Sequence, residues 1–332
     1  MSNGLETSLF FGVQNYSGVS YTNSLAAVPI VSETINNEVK QVRYAGKYSR
    51  ISASPLYEGK HTVRGNINAE PNPETMWYFL SAVFGLPTVT SGDLVTHVFD
   101  GKEADFSNES IVNPLTIEIN RGVNSSYLYY DVAGDSLTLD VKQGELVESA
   151  LGVVGAGYTK AAESTPEYST SKPFTWDQVS ASFNGATMTN VEDISIKINN
   201  NLEAYHTLQG SKAPYLIKRT DSRLIEVSGS LIFETSSYQQ AFESQSQNSL
   251  KLNFKSVGSE SLLIDLPSLK FTSFESTIDG PDLLRSNFTA EAEYNVGSGT
   301  CGTFTLKNEM QYTNFFTLDH TLYGLLGANY LN

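Results

Sequence analysis

A glycine-centred strand pattern occurs twice in this chain, 164 residues apart, and nothing else in the sequence limits the fold as much. Val63, Gly65, Ile67 and Glu70 are met at that offset by Val227, Gly229, Leu231 and Glu234. Upstream, Thr34-Ile35-Asn36-Asn37 returns as Lys197-Ile198-Asn199-Asn200, and Gly46 as Gly210. Downstream, Gly144-Glu145-Leu146 returns more loosely around residues 280–284, and Ser149-Ala150-Leu151 as Ser286-Asn287-Phe288. Any one pair is within chance. A spacing held along a whole strand, with a matched glycine at its middle, is the mark of a duplicated unit.

The repeated unit reads as β. Residues 117–120, 136–141, 192–198, 223–233 and 287–294 alternate apolar and polar side chains at period two, as strands with one buried and one wet face do. One helix is signalled clearly: Asn72 as N-cap, Pro73 in the first turn, Glu74 at the positive end of the dipole, and Gly85 to close it. Met76, Trp77, Leu80, Val83 and Phe84 form its apolar face, the face of a helix packed on a sheet. The second copy has a shorter counterpart at residues 236–245, with Tyr238, Ala241 and Phe242 on one side. Residues 159–173 are polar and poor in aromatics, as a linker is. The expected organisation is a first domain over 1–160, a linker over 161–175, a second domain over 176–298 and a C-terminal extension over 299–332.

Charge and cysteine usage exclude several classes. The 332 residues carry a net charge of −15, shared almost equally as −8 in residues 1–163 and −7 in residues 164–332. Such a balance argues against a protein that grips nucleic acid by neutralising phosphates. No apolar run nears the roughly 20 residues of a membrane span, and the Met-Ser-Asn-Gly start has no export signal. A single cysteine, Cys301, permits no internal disulfide and no cysteine zinc cluster. Against this acidic body two stretches stand out. Residues 36–60 hold Lys40, Arg43, Lys47, Arg50 and Lys60, and residues 199–223 hold Lys212, Lys218, Arg219 and Arg223, with two acids in each. Neither shows a core pattern, so both read as long basic loops, suited to docking on an acidic surface of another copy.

Catalytic signatures are absent. His61, His97, His206 and His320 are scattered without metal-ligand spacing, and Gly155-Ala156-Gly157 lacks the rest of a dinucleotide loop. Cys301 has no histidine near it in sequence. Glu118, Asp140, Glu226, Glu291 and Glu293 lie on the polar phase of strands, where solvated carboxylates are expected. A glycosidase would need two carboxylates about 5–10 Å apart in a cleft, and a carbohydrate-binding sandwich would use tyrosines such as Tyr127, Tyr129 and Tyr130. No cofactor or metal is expected.

The order of strand, long loop, glycine-containing strand and helix resembles the tail tube proteins of long-tailed bacteriophages, in their duplicated form. Val63 to Ile67 followed by Pro73-Glu74-Thr75-Met76-Trp77 carries the likeness, with its second copy at Val227 to Phe233. Thr96-His97-Val98-Phe99 and Asn113 to Glu118, matched by Leu266 to Phe271, extend it over roughly residues 10–298. The resemblance implies a mainly β fold of two tandem β-sandwich domains, each with a flanking α-helix, whose inner strands pool into an oligomeric β-barrel. It implies a non-enzymatic virion protein, assembled in the host bacterial cytoplasm. Homotrimeric rings of six domains would stack into the conduit through which double-stranded DNA leaves the capsid without specific binding. It implies tape measure, tail terminator and baseplate or tail-tip proteins as further partners. The ring-stacking loops would carry Lys40, Arg43, Lys47, Arg50, Lys212, Lys218, Arg219 and Arg223. Arg64, Asn66, Asn68, Glu70, Glu226, Ser228, Ser230 and Glu234 would line the channel, an acidic wall from which DNA phosphates are repelled.

Overall fold

A computed structural model describes residues 7–14, 25–46, 53–100, 114–122, 125–234, 236–277 and 284–310. Lys47, Arg50, His320, the apolar cluster at 315–326 and the Met-Ser-Asn-Gly start lie outside them. In chain order the first half contains β1 (Ser8–Val13), β2 (Ala26–Val28), β3 (Ser32–Glu33), β4 (Asn36–Arg43), β5 (Leu56–Ala69) and α1 (Pro73–Phe84). It continues with β6 (Thr88–Thr90), β7 (Val95–Asp100), β8 (Leu115–Asn120), β9 (Ser126–Lys142), β10 (Glu148–Gly155) and β11 (Gly157–Lys160). The second half holds β12 (Val179–Phe183), β13 (Ala186–Met188), β14 (Val191–Asn199), β15 (Leu202–Tyr205), β16 (Leu216–Arg219) and β17 (Leu224–Ile232). After α2 (Ser237–Glu243) come β18 (Asn248–Lys255), β19 (Ser261–Thr277), β20 (Arg285–Ala292) and β21 (Thr303–Asn308). The protein is mainly β, built of large antiparallel sheets, with no closed barrel among the described residues.

The strand pairings repeat. In the first half β4, β5, β10 and the second part of β9 lie side by side. In the second half β14, β17, β20 and the second part of β19 do the same. The long strands β9 and β19 each continue into another layer, where β9 meets β8 and β11 and β19 meets β18 and β21. Both change register at one unpaired residue, Asp135 in β9 and Thr272 in β19. The change of layer comes just before this bulge, at Val132–Ala133 of β9 and at Leu269 of β19, where each strand leaves one set of partners for the next. The matched glycines have a steric cause. A Cβ on Gly65 would sit 2.5 Å from Ile35 Cα, and one on Gly229 would sit 2.5 Å from Asp193 O, because the neighbouring strand is irregular there in both copies. The ladders differ by two residues, Gly65 facing Val153 and Gly229 facing Phe288; an even slip leaves every side chain on its own face.

The helix ends follow the sequence signals. Asn72 Oδ1 accepts from Glu74 N (3.1 Å) and Thr75 N (2.7 Å), and Gly85, at φ 84°, donates to Ser81 O. Yet α1 is buried almost all round, on Phe11 at one side and on Phe304 of β21 at the other. Residues 303–308, read as part of an extension, form β21, which pairs with β19 as β11 pairs with β9. β21 also pairs with β7 of the first half, so the two halves interlock. The linker is tied down as well: Ser164 N and Oγ donate to Glu118, and Phe174, buried, donates its N–H to Pro71 O.

Candidate assembly surface

The sheet of β4, β5, β10 and the second part of β9 does not stop at the end of the first repeat. β14 pairs with the second part of β9 over seven residues, from Asp193 opposite Lys142 to Asn199 opposite Ser136. A row of directly paired residues, Asn68, Ala150, Thr138, Lys197, Glu226 and Glu291, crosses both repeats. At the end of this joint sits Asn200, fully buried. Its Nδ2 donates to Val83 O and Gly134 O, both at 2.8 Å. Its Oδ1 accepts from Arg223 Nε (2.8 Å) and Arg219 Nη2 (3.2 Å). Carbonyls only accept and guanidinium groups only donate, so the amide has one satisfying orientation. Arg223 also stacks on Phe84, 4.5 Å from the ring centroid.

At the two ends of the sheet that β9 and β14 join, strand edges remain unpaired among the described residues: the outer edge of β4 and the outer edge of the second part of β19. They are the first and last strands of that sheet. The β4 edge is held in shape from behind. Arg121 grips Glu33 through two nitrogens (2.7 and 2.8 Å) and donates to Ile35 O (2.6 Å), which also keeps its guanidinium firmly protonated. Neither Arg121 nor Asn200 carried a sequence signal of this role; an internal asparagine pair was the nearest clue.

The eight residues expected to line a channel lie together away from the core. Arg64, Asn66 and Asn68 alternate along β5 with buried Val63, Ile67 and Ala69, and Glu70 follows the strand, exposed. Glu226, Ser228 and Ser230 alternate in β17 with buried Ile225, Val227 and Leu231, and Glu234 is exposed beyond it. Ser230 N donates to Asp193 (3.2 Å) on the same face. Between them, on the same rows, lie Ser136, Thr138, Asp140, Ser195, Lys197, Thr289 and Glu291, so the surface is polar and carries both signs of charge, with acidic side chains in excess.

The basic stretches are hairpins, not loops. β4 and the start of β5 form a projecting arm that bears Lys40, Arg43 and Lys60. β15 and β16 form a second, whose Leu202, Ala204 and Ile217 cover Ala133 and Val154. The arms touch: His61 N donates to Lys212 O, His206 Nε2 lies 2.8 Å from His61 O, and Lys212 pairs with Glu58. Lys212 and its neighbour His61 hold the Glu58 carboxyl below its ordinary range. Between the arms is a cleft of about 340 Å³ flanked by Lys40, Lys60, Arg64, Glu38 and Glu203. Lys218 lies on β16, while Arg219 and Arg223 turn inward to Asn200.

The other chemical candidates are in structural settings. Glu118, expected to be solvated, is 2% exposed and accepts from Ser126 Oγ, Ser164 N and Ser164 Oγ. The sequence pattern missed this because the linker folds back over its strand. His97 is buried between Trp77 and Asn308. Tyr127 and Tyr129 pack on Tyr158 rather than forming an open aromatic platform.

No curated protein matches the chain. The model of the phage tail tube protein family matches residues 4–295, which takes in both repeats and the joint between them. The chain therefore belongs to the phage tail tube protein family.

Proposed function

We propose that three copies of this chain close into a ring of six repeats, that rings stack into the tail tube, and that DNA passes along the polar face of the inner sheet. The β9–β14 joint carries this reading: it shows inside one chain how one repeat extends the sheet of the next. The free edges of β4 and β19 are the corresponding ends, and pairing them between copies repeats the same joint around an axis. Closure removes two sticky edges and limits growth within the ring. The residues 64, 66, 68, 70, 226, 228, 230 and 234 then face the channel, with polar side chains that offer DNA little to hold. Stacking falls to the arms, through Lys40, Arg43 and Lys218, together with Lys47, Arg50 and Lys212. The two repeats are then the two domains of the expected organisation, and tape measure, terminator and baseplate or tail-tip proteins are the partners at the tube's lumen and ends. Assembly would take place in the host cytoplasm.

Electron microscopy of the purified protein tests this. Rings and hollow rods are the expected result; compact monomers at high protein concentration would contradict it. A carbohydrate-binding module, the alternative raised by the tyrosines, would give such monomers.

A further inference from the structure

The joint inside the chain has an apolar core side. There Ile196 of β14 faces Leu139 of β9 and Ile198 faces Leu137, and none of the four is more than 1% exposed. The ladders carry these positions onto the free edges. Ile196 stands opposite Val227 as Asn37 stands opposite Val63, and Ile198 opposite Ile225 as Val39 stands opposite His61. On the other side, Ser136 follows the bulge in β9 as Ser273 follows the bulge in β19, so Leu137 and Leu139 correspond to Phe274 and Ser276. The helices agree with this correspondence. Asn200 Nδ2 bridges Val83 O and Gly134 O, and Gln245 Nε2 bridges Phe242 O and Phe271 O, each pair being a penultimate helix residue and the residue before the bulge.

At the free edges one of these two pairs keeps its character and the other changes on both sides. Val39 is 40% exposed and Phe274 half-buried, apolar side chains left partly uncovered. Asn37 and Ser276 are polar where Ile196 and Leu139 are apolar. Asn37 Oδ1 is buried and accepts no hydrogen bond among the described residues. Ser276, exposed at its edge, has its Oγ 2.6 Å from Oγ of the fully buried Ser286. A hydroxyl donates once and accepts twice, so Ser286 can donate to Ser276 and leave the Ser276 proton for an acceptor across the edge. We propose that, between chains, the Ser276 hydroxyl of one copy donates to Asn37 Oδ1 of the next, in the place where Ile196 meets Leu139 within the chain. This rests on the ring reading above and adds a register to it: Val39 faces Phe274, and on the wet side Glu38 faces Glu275, both exposed to water that screens their repulsion. The pair also gives the edge an identity. β4 set against β9 of another copy would leave the Asn37 carbonyl buried against Leu139 with no donor, so β4 is directed to β19.

The test is ring formation by the full chain as Ser276→Ala, Asn37→Ala and the two together, followed by light scattering and microscopy, with melting of the unassembled proteins as a folding control. Ser276→Ala in the wild-type background is expected to raise the protein concentration needed for rings about tenfold, a loss of about 1.4 kcal/mol per joint. The same substitution in the Asn37→Ala background is expected to change it by less than about twofold, since the carbonyl it would orphan is already gone. An equal effect in both backgrounds would overturn the pair while leaving the ring intact. Register is read separately in a Cys301→Ser background. Asn37→Cys with Ser276→Cys is expected to form a disulfide between chains in assembled protein under mild oxidation, and Val39→Cys with Ser276→Cys, two residues out of register, is expected to form none. A disulfide from the second pair, or from neither, would overturn the register. Absence of rings from the wild type itself would overturn both the pair and the ring.

Discussion

Gly65 and Gly229 mark the duplication for a reason that lies outside their own strands. Each is pressed by the backbone of the adjacent strand at 2.5 Å from where a Cβ would stand, so a side chain at either position forces two strands apart. A steric demand of this kind leaves a visible letter in the sequence. Satisfied polar groups leave none: Glu118 looks like an ordinary polar-phase strand residue and Asn200 like a strand-end one, and only the folded linker and the two arginines complete their burial. His97 is another case. Its Nδ1 accepts from Trp77 Nε1 (3.2 Å), so Nε2 carries the proton and faces Asn308 Oδ1 (3.0 Å). Burial lowers its pKa from 6.5, partly opposed by Asn308 and the Met310 carbonyl. Between the lowered value and 6.5 the unfolded chain binds the extra proton more readily than the folded one. The contribution of His97 is therefore complete above about pH 6.5 and is lost as pH falls below it. Melting measured from about pH 7.5 down to about pH 5 should show a falling midpoint that flattens in His97→Gln. An equal slope in both proteins would place the acid sensitivity elsewhere.

At the scale of elements, the helix and most inner strands were legible, and the arms were not. Asn72, Pro73 and Gly85 bound α1 where the sequence placed them. The first arm escaped because its ladder shifts between Val39 and Gln41. The extra residue lies on β5, where Gly59 and Lys60 stand against Lys40, and the arm is almost wholly exposed, so no buried face marks it at a period of two. The paired arms also divide the basic residues by task. Arg219 and Arg223 hold the joint inside the chain, while Lys40 and Arg43 project on an exposed strand. Charge reversal at Lys40 and Arg43 together should shorten tubes and leave the melting midpoint within about 1 °C of the wild type, because exposed charges contribute little to folding. The wild-type tubes should also shorten as salt rises toward about 0.5 M, where charges are screened beyond a few ångströms. Tubes of unchanged length in both experiments would assign stacking to the apolar residues of the arms, such as Tyr44 and Tyr57.

For the whole molecule, tandem duplication was readable from offsets, but the interlocking of the halves was not. β21 reaches across to β7, and β14 completes β9, through pairings between residues tens to hundreds of positions apart that no local pattern encodes. The consequence is one sheet running through both repeats, with an unpaired edge at each end among the described residues. The central claim is that these edges meet and that three chains use up all of them. It is tested most directly by cross-linking assembled protein with cysteines at Glu38→Cys and Glu275→Cys, the counterparts of Lys197 and Thr138 that face each other across the β9–β14 joint, in a Cys301→Ser background, using a short thiol-reactive bridge. Paired residues on adjacent strands have Cβ atoms about 5 Å apart. The account predicts covalent species of two and three chains with no larger product. A ladder that continues past three chains, or no cross-link between chains in assembled tubes, would contradict it.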